Sequence, residues 1–144
     1  MRAPQSPYNL IQEHVQDDPW RVFVVCIFCN LTKRLEAEPT MWEFFRRWPD
    51  ADAASKAKYD DVLDLIKDLG LGSRRAKTLI QMSSDYLTWD GADPKDLYGI
   101  GEYADAAYRI FCLKVWNQIP EPKDGALKNY WKWINNLEVT SQKG

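Results

Sequence analysis

The segment Leu97-Tyr98-Gly99-Ile100-Gly101 holds the first residues whose types and spacing imply chemistry. Two glycines flanking one apolar residue let the backbone turn sharply and bare its N–H groups where a helix begins. Such donors, reinforced by the helix dipole, suit a phosphate oxygen and need no lysine. Ile100 can plug inward and fix the turn. The same residues also suit an ordinary helix–helix connection capped by glycine, and the spacing leaves both readings open. They are not a dinucleotide fingerprint, because no strand precedes them. Thiol and imidazole chemistry is poorly served. The three cysteines, Cys26, Cys29 and Cys112, are an odd number, which argues against a disulfide framework. With the one histidine, His14, they lie scattered through apolar segments unsuited to a zinc site. Cys26 and Cys29 stand three apart on one helix face and read as core.

The elements that must position such a turn read as helix after helix. Asp18-Pro19 starts a strongly apolar stretch, Trp20 to Asn30, whose length favours a buried helix over a strand. Pro39 to Trp48 predicts a second helix, closed by Pro49. Val62, Leu65, Ile66 and Leu69 follow the helical spacing, and Gly70 and Gly72 break it. Ser73 caps a helix to about Leu87, with Ala76, Leu79, Ile80 and Tyr86 inward. After the Gly99–Gly101 turn a helix is expected from Glu102 to about Gln118. Pro120 and Pro122 form an irregular bridge, and a last helix begins near Asp124 or Gly125 and ends near Leu137. The tail from Val139 to Gly144 is expected to fray. The fold expected is all-α, with about seven to nine helices, as a single domain over residues 1–144 whose ordered core spans about 6–137.

Composition bounds the function classes. The chain has 144 residues, enough to bury a sizeable core without staples. Hydrophobic residues make up 45% and charged residues 28%, the balance of a globule and not of a disordered chain. No run approaches the ~18 apolar residues of a membrane span. The start, Met1 to Pro4, leads into polar residues without an apolar signal core, so an intracellular protein is expected, in the cytoplasm or nucleoid or, in a eukaryote, the nucleus. A net charge of −2 does not advertise nucleic-acid binding, but what matters there is where the positive groups sit. Seven Trp, seven Tyr and five Phe reflect core packing for the most part.

Leu97-Tyr98-Gly99-Ile100-Gly101-Glu102-Tyr103-Ala104 resembles the helix-hairpin-helix signature of the endonuclease III superfamily of DNA glycosylases. Further segments resemble one branch, the mismatch glycosylases typified by the glycosylase domain of methyl-CpG-binding domain protein 4. They are Pro7 to Glu13, Asp18-Pro19-Trp20, Leu69-Gly70-Leu71 with Arg75 to Thr78, Asp85 to Thr88, and Tyr108 to Cys112. The motifs keep their order and cover the chain from about Ser6 to Leu137. The resemblance implies two helical lobes flanking a DNA-binding cleft. It implies removal of uracil or thymine mispaired with guanine, or of a 5-modified uracil, from duplex DNA by a monomer without a cofactor. The iron–sulfur cluster of many superfamily members is not expected, since no cysteine follows Cys112.

The resemblance also assigns residues. The catalytic carboxylate falls on Asp124, which on its own reads as a helix N-cap. The position that holds a nucleophilic lysine in bifunctional members falls on Tyr103, so no Schiff base forms and base release should leave the strand intact. Tyr103 also lines the base pocket with Gln12, whose amide offers a donor and an acceptor to a pyrimidine edge, and with Ile11 as an apolar wall. Leu71 matches a wedge that fills the gap left by a flipped nucleotide. Leu31 stands where the branch has an arginine that also enters DNA; it can wedge but cannot hydrogen-bond the orphan guanine. Gly99, Ile100 and Gly101 are expected to touch the DNA backbone, with Arg74, Arg75 and Lys77 meeting phosphates nearby. Arg109, inside an apolar helix, is expected in a buried salt bridge. Two rival readings are a non-catalytic helix-hairpin-helix DNA-binding module and a glycosylase-derived enzyme acting on another nucleobase.

Overall fold

The computed structural model describes residues 2–29, 34–70 and 72–143. Among these the chain forms α-helices joined by loops and short 3-10 turns, without a strand: α1 (Ile11–Val15), α2 (Pro19–Cys29), α3 (Arg34–Arg47), α4 (Ala51–Ser55), α5 (Tyr59–Ile66), α6 (Gly72–Leu87), α7 (Glu102–Phe111) and α8 (Gly125–Lys143). The all-α expectation holds. No helix of the described residues is long and apolar enough to cross a membrane.

The boundaries differ from the sequence reading for identifiable reasons. α3 starts at Arg34, with Pro39 inside it. The turn before the proline is secured by the Arg34–Glu38 ion pair (3.1 Å) and by the burial of Ala37. α7 ends at Phe111, well short of Gln118. The N–H groups of Cys112 and Leu113 both return to the Tyr108 carbonyl, Val115 N–H donates to the Arg109 carbonyl, and Lys114 adopts a left-handed φ of 60°. This is a helix stop of the kind glycine usually makes, built here without a glycine to announce it. α8 continues to Lys143, past the expected end near Leu137. α1 and α4 are five residues each, too short for periodicity to show.

α2 is the axis of the core. Every side chain from Val22 to Phe28 is buried, which explains why the segment reads as continuously apolar. α1, α3, α6 and α7 all pack on it, while α4 and α5 pack on α6. Two aromatic clusters seal the seams. Trp20, Phe28, Phe44 and Trp48 fill the space between α2 and α3, with Trp20 Nε1 donating to the Ser83 hydroxyl (2.9 Å). Phe23, Trp89 and Tyr108 join α2 to α7, and the Tyr108 hydroxyl donates to the Gly91 carbonyl. These rings are therefore committed to packing. α8 is anchored by Tyr130, whose ring lies tilted against Phe111 (4.7 Å between centres) and whose hydroxyl donates to the Pro4 carbonyl (2.7 Å).

The N-terminal segment is held on α1 by Glu13. Its buried carboxylate accepts from Ser6 N (2.8 Å), Ser6 Oγ (2.6 Å) and Leu10 N (2.8 Å), the last being the N-cap of α1. Gln16 adds a pair of bonds to the Ala3 backbone. Together they fix the roll of α1 and so the direction of Gln12. Replacing Glu13 by Ala strands three donors in a buried place and should cost about 2–4 kcal/mol. Urea unfolding of Glu13→Ala is the check, and a loss below about 0.5 kcal/mol would show the anchor to be dispensable.

Candidate active site

The turn before α7 is shaped by one glycine. Ile100 N–H closes onto the Leu97 carbonyl (3.2 Å), and Gly99 at the third position has φ +75°, as turns of this class require. A Cβ on Gly99 would lie 2.4 Å from Thr78 Cγ2 on α6, so the turn is also pressed against that helix. Asp85 Oδ2 accepts Tyr98 N–H (2.9 Å) and ties the turn to α6 a second time. Ile100 is buried, as expected of a plug. Gly101 is exposed and caps α7 without a side chain; a Cβ there would meet nothing within 4 Å. The first N–H groups of α7 thus begin at an open surface, where an anion could approach.

Two residues into α7 stands Tyr103. Its hydroxyl accepts from Gln12 Nε2 at 2.7 Å, linking α7 to α1 across the core. Burial pushes the phenol well above its ordinary range, with Cys26, Cys29 and Asp124 adding to the effect. It is therefore a neutral hydroxyl at any physiological pH. Gln12 is 4% exposed, and its Nε2 also faces Cys26 Sγ at 3.8 Å. Ile11 is buried in the core beside it.

Asp124 caps α8. Its Oδ2 accepts Leu127 N–H (3.0 Å), and its carbonyl accepts Lys128 N–H (2.7 Å). Oδ1 has no hydrogen bond among the described residues. Asp124 and Tyr103 line one cleft of about 540 Å³. One wall is the α7 face with Ala106 and Arg109, the other is the bridge from Ile119 to Lys123, and Leu127 also lines it. Arg109 is held along its wall by Asp105 (3.2 Å); the ion pair is the one expected, but it is half-buried at the cleft and not buried.

The positive side chains divide. Arg74 and Lys77 are exposed on α6, and the Lys77 ammonium sits 5.4 Å from the Tyr98 ring centre, beside the turn. Arg75 corrects the expectation of a surface phosphate contact. It is 6% exposed, and its guanidinium donates to the Leu69 carbonyl. The reason is helical register: Arg75, Leu79, Met82 and Ser83 form the inward stripe of α6. Leu31 and Leu71, the two expected wedges, lie outside the described residues. Among the described residues no cluster of His, Cys, Asp and Glu could hold a metal ion.

No family model matches the chain. Three relatives do. The chain is 37% identical over 131 residues, 91% of its length, to a methyl-CpG-binding domain protein 4-like protein of Arabidopsis thaliana. It is 32% identical over 93 residues, 60% of its length, to a thymine-DNA glycosylase of Aeropyrum pernix. It is 26% identical over 72 residues, half of its length, to an endonuclease III of Thermotoga maritima. The chain belongs to the endonuclease III superfamily of helix-hairpin-helix DNA glycosylases. It spans 29%, 42% and 34% of these relatives' own lengths, respectively.

Some members of the cleft were not singled out from the sequence: Ala106, the bridge residues around Pro122, and Leu127 form its walls. Outside the cleft lining, Cys26 sits against Gln12. The spacing Glu102, Tyr103, Asp105, Ala106, Arg109 does mark one α7 face and could have flagged its wall. Nothing in the sequence reveals that Cys26 faces an amide rather than a methyl group.

The hairpin generates a stability prediction. Gly99→Ala should destabilise by about 2–4 kcal/mol, from left-handed strain and from the Thr78 clash together. Adding Thr78→Ser removes the methyl and should recover only the clash, leaving about 1–2 kcal/mol of strain. Thermal or urea unfolding of the single and double variants checks this. Full recovery in the double variant would mean that the positive φ costs nothing.

Proposed function

We propose that this chain is a monofunctional DNA glycosylase that flips a uracil or thymine mispaired with guanine, or a 5-substituted uracil, out of duplex DNA and hydrolyses its glycosidic bond. The observation that carries the reading is that Asp124 and Tyr103, two residues beyond the hairpin, face one cleft. A glycosylase needs a carboxylate at the sugar and a donor at the base, both within reach of a phosphate-binding element. The thymine-DNA glycosylase and the methyl-CpG-binding domain protein 4-like relative support this substrate class.

The hairpin N–H groups hold a backbone phosphate, and Arg74 and Lys77 add sequence-independent attraction. Flipping costs a few kcal/mol, least at a mismatch, which biases the enzyme toward damaged sites. The C1′–N1 bond then breaks, and its electron pair leaves on the base. The sugar becomes cationic at C1′, where the Asp124 carboxylate stabilises it. A water adds to C1′ and gives up its proton to Asp124 or to solvent. The product is an abasic site on an unbroken strand. Tyr103 offers no amine for a Schiff base, and its neutral hydroxyl serves the pocket as a hydrogen-bonding group. No cofactor enters the reaction. The working form is a monomer on duplex DNA, inside the cell.

Asp124→Asn keeps the α8 cap, because an amide oxygen can still accept Leu127 N–H. It removes the negative charge at C1′. Single-turnover excision from a U·G duplex should fall about 10²–10⁴-fold, while the melting temperature and DNA affinity stay near wild type. Excision within about threefold of wild type would take Asp124 out of the mechanism and favour a non-catalytic DNA-binding module.

Gly101 tests the hairpin separately from the fold. A side chain there meets open space in the free protein but would stand between the α7 N–H groups and a phosphate. Gly101→Leu should weaken binding to matched and mismatched duplexes alike, with little change in stability. Equal affinity of the variant and wild type would make the hairpin a connector only.

A further inference from the structure

Four carboxylates line the cleft: Glu102, Asp105, Glu121 and Asp124. Three of them are engaged. Asp105 pairs with Arg109 (3.2 Å), Glu121 pairs with Lys132 (3.5 Å), and Asp124 caps α8. Glu102 is exposed at the first position of α7. Among the described residues its carboxylate makes no hydrogen bond and no ion pair. Lys95 and Lys123 line the same cleft, but neither is paired with it.

Beside this carboxylate stand donors without an acceptor. The first bond of the α7 ladder runs from Asp105 N–H to the Gly101 carbonyl (3.0 Å). The N–H groups of Glu102, Tyr103 and Ala104 precede that ladder, and Gly101 brings no side chain to cap them. In the proposed function a DNA phosphate takes these donors. The Glu102 carboxylate then sits with that phosphate as like charge beside like charge. An acid here stabilises the free helix through its dipole, and an arriving phosphate has to compete with it.

We infer that Glu102 is an affinity-limiting residue: its unpaired carboxylate opposes the DNA backbone at the cleft and weakens the hold on every duplex, substrate and abasic product alike. The inference rests on the proposed function for the phosphate and goes beyond it in assigning a residue that works against binding. Phosphate contacts carry no sequence information, so keeping them weak leaves a larger share of the binding energy to the flipped nucleotide. Two unit charges roughly 6 Å apart near a surface repel enough to change an equilibrium about three- to tenfold, and salt screens the effect.

The test is equilibrium affinity for two duplexes that need no chemistry, one fully matched and one carrying a stable tetrahydrofuran abasic analogue. At low salt Glu102→Gln should bind both about three- to tenfold tighter than wild type. Glu102→Lys should bind tighter still, with a log–log salt slope steeper by about one to two. Asp61→Asn removes an acid from the first turn of α5, outside the cleft lining, and makes the same change in net charge as Glu102→Gln. Its affinity should stay within about 1.5-fold of wild type. Unchanged or weaker binding by Glu102→Gln would overturn the inference, whether or not its melting temperature falls, since a role only in stabilising α7 predicts that result. Equal tightening by Asp61→Asn would overturn it too, because net charge alone would then explain the gain. Uracil excision, measured beside affinity, keeps this inference apart from the proposed function. A wild type that binds duplex without excising would sink the glycosylase mechanism, while the affinity comparison still decides Glu102. A wild type that binds no duplex would sink both.

Discussion

One hydrogen bond organises the candidate active site: Gln12 Nε2 to the Tyr103 hydroxyl, 2.7 Å, between residues 91 positions apart. Making it requires two helices from opposite ends of the chain to arrive in register. α1 arrives because Glu13 and Gln16, the residues next to and one turn beyond Gln12, bond the N-terminal strand of backbone. α7 arrives because the Gly99 turn, wedged on Thr78 and tied to Asp85, aims its first turn. α2 runs beneath both and contributes Cys26. Disturbing any of the three moves the hydroxyl relative to Asp124 on the opposite wall of the cleft.

The same arrangement separates two tasks that one helix terminus could otherwise confuse. The N-terminus of α7 is open at Gly101, where a phosphate can approach, yet its second residue is drawn inward by Gln12. α8 begins with an acid that is already half-used as a cap. Capping fixes the carboxylate without consuming Oδ1, so preorganisation and availability coexist in one side chain. A carboxylate already fixed in place is worth more to a developing charge than one that must first be oriented. Around them the cleft carries charges of both signs, Lys95, Arg109 and Lys123 beside Glu102, Asp105 and Glu121.

Much of this was legible in the residues. Buried α2 reads directly from its unbroken apolar run, and the hairpin from glycines around a plug. The resemblance supplied Gln12, Tyr103 and Asp124, and the fold brings the first two into contact and the last two to one cleft. What was not legible has physical causes. The stop after Phe111 uses a left-handed Lys114, where no glycine announces it. Pro39 sits inside α3 because an ion pair and a buried alanine carry the preceding turn. Arg75 points inward because register, and not residue type, sets which side of α6 it occupies. Cys26 reads as core and is core, but its neighbour is an amide, a fact held only in the tertiary contact.

The central claim is that this cleft breaks a glycosidic bond by hydrolysis. The most direct measurement is the product of the wild-type protein on an end-labelled U·G duplex, analysed before and after hot alkali and with borohydride present. The account predicts a full-length strand until alkali cleaves it at the former uracil, and no protein–DNA adduct. A strand nicked without alkali, a trapped adduct, or no abasic site at all would contradict it.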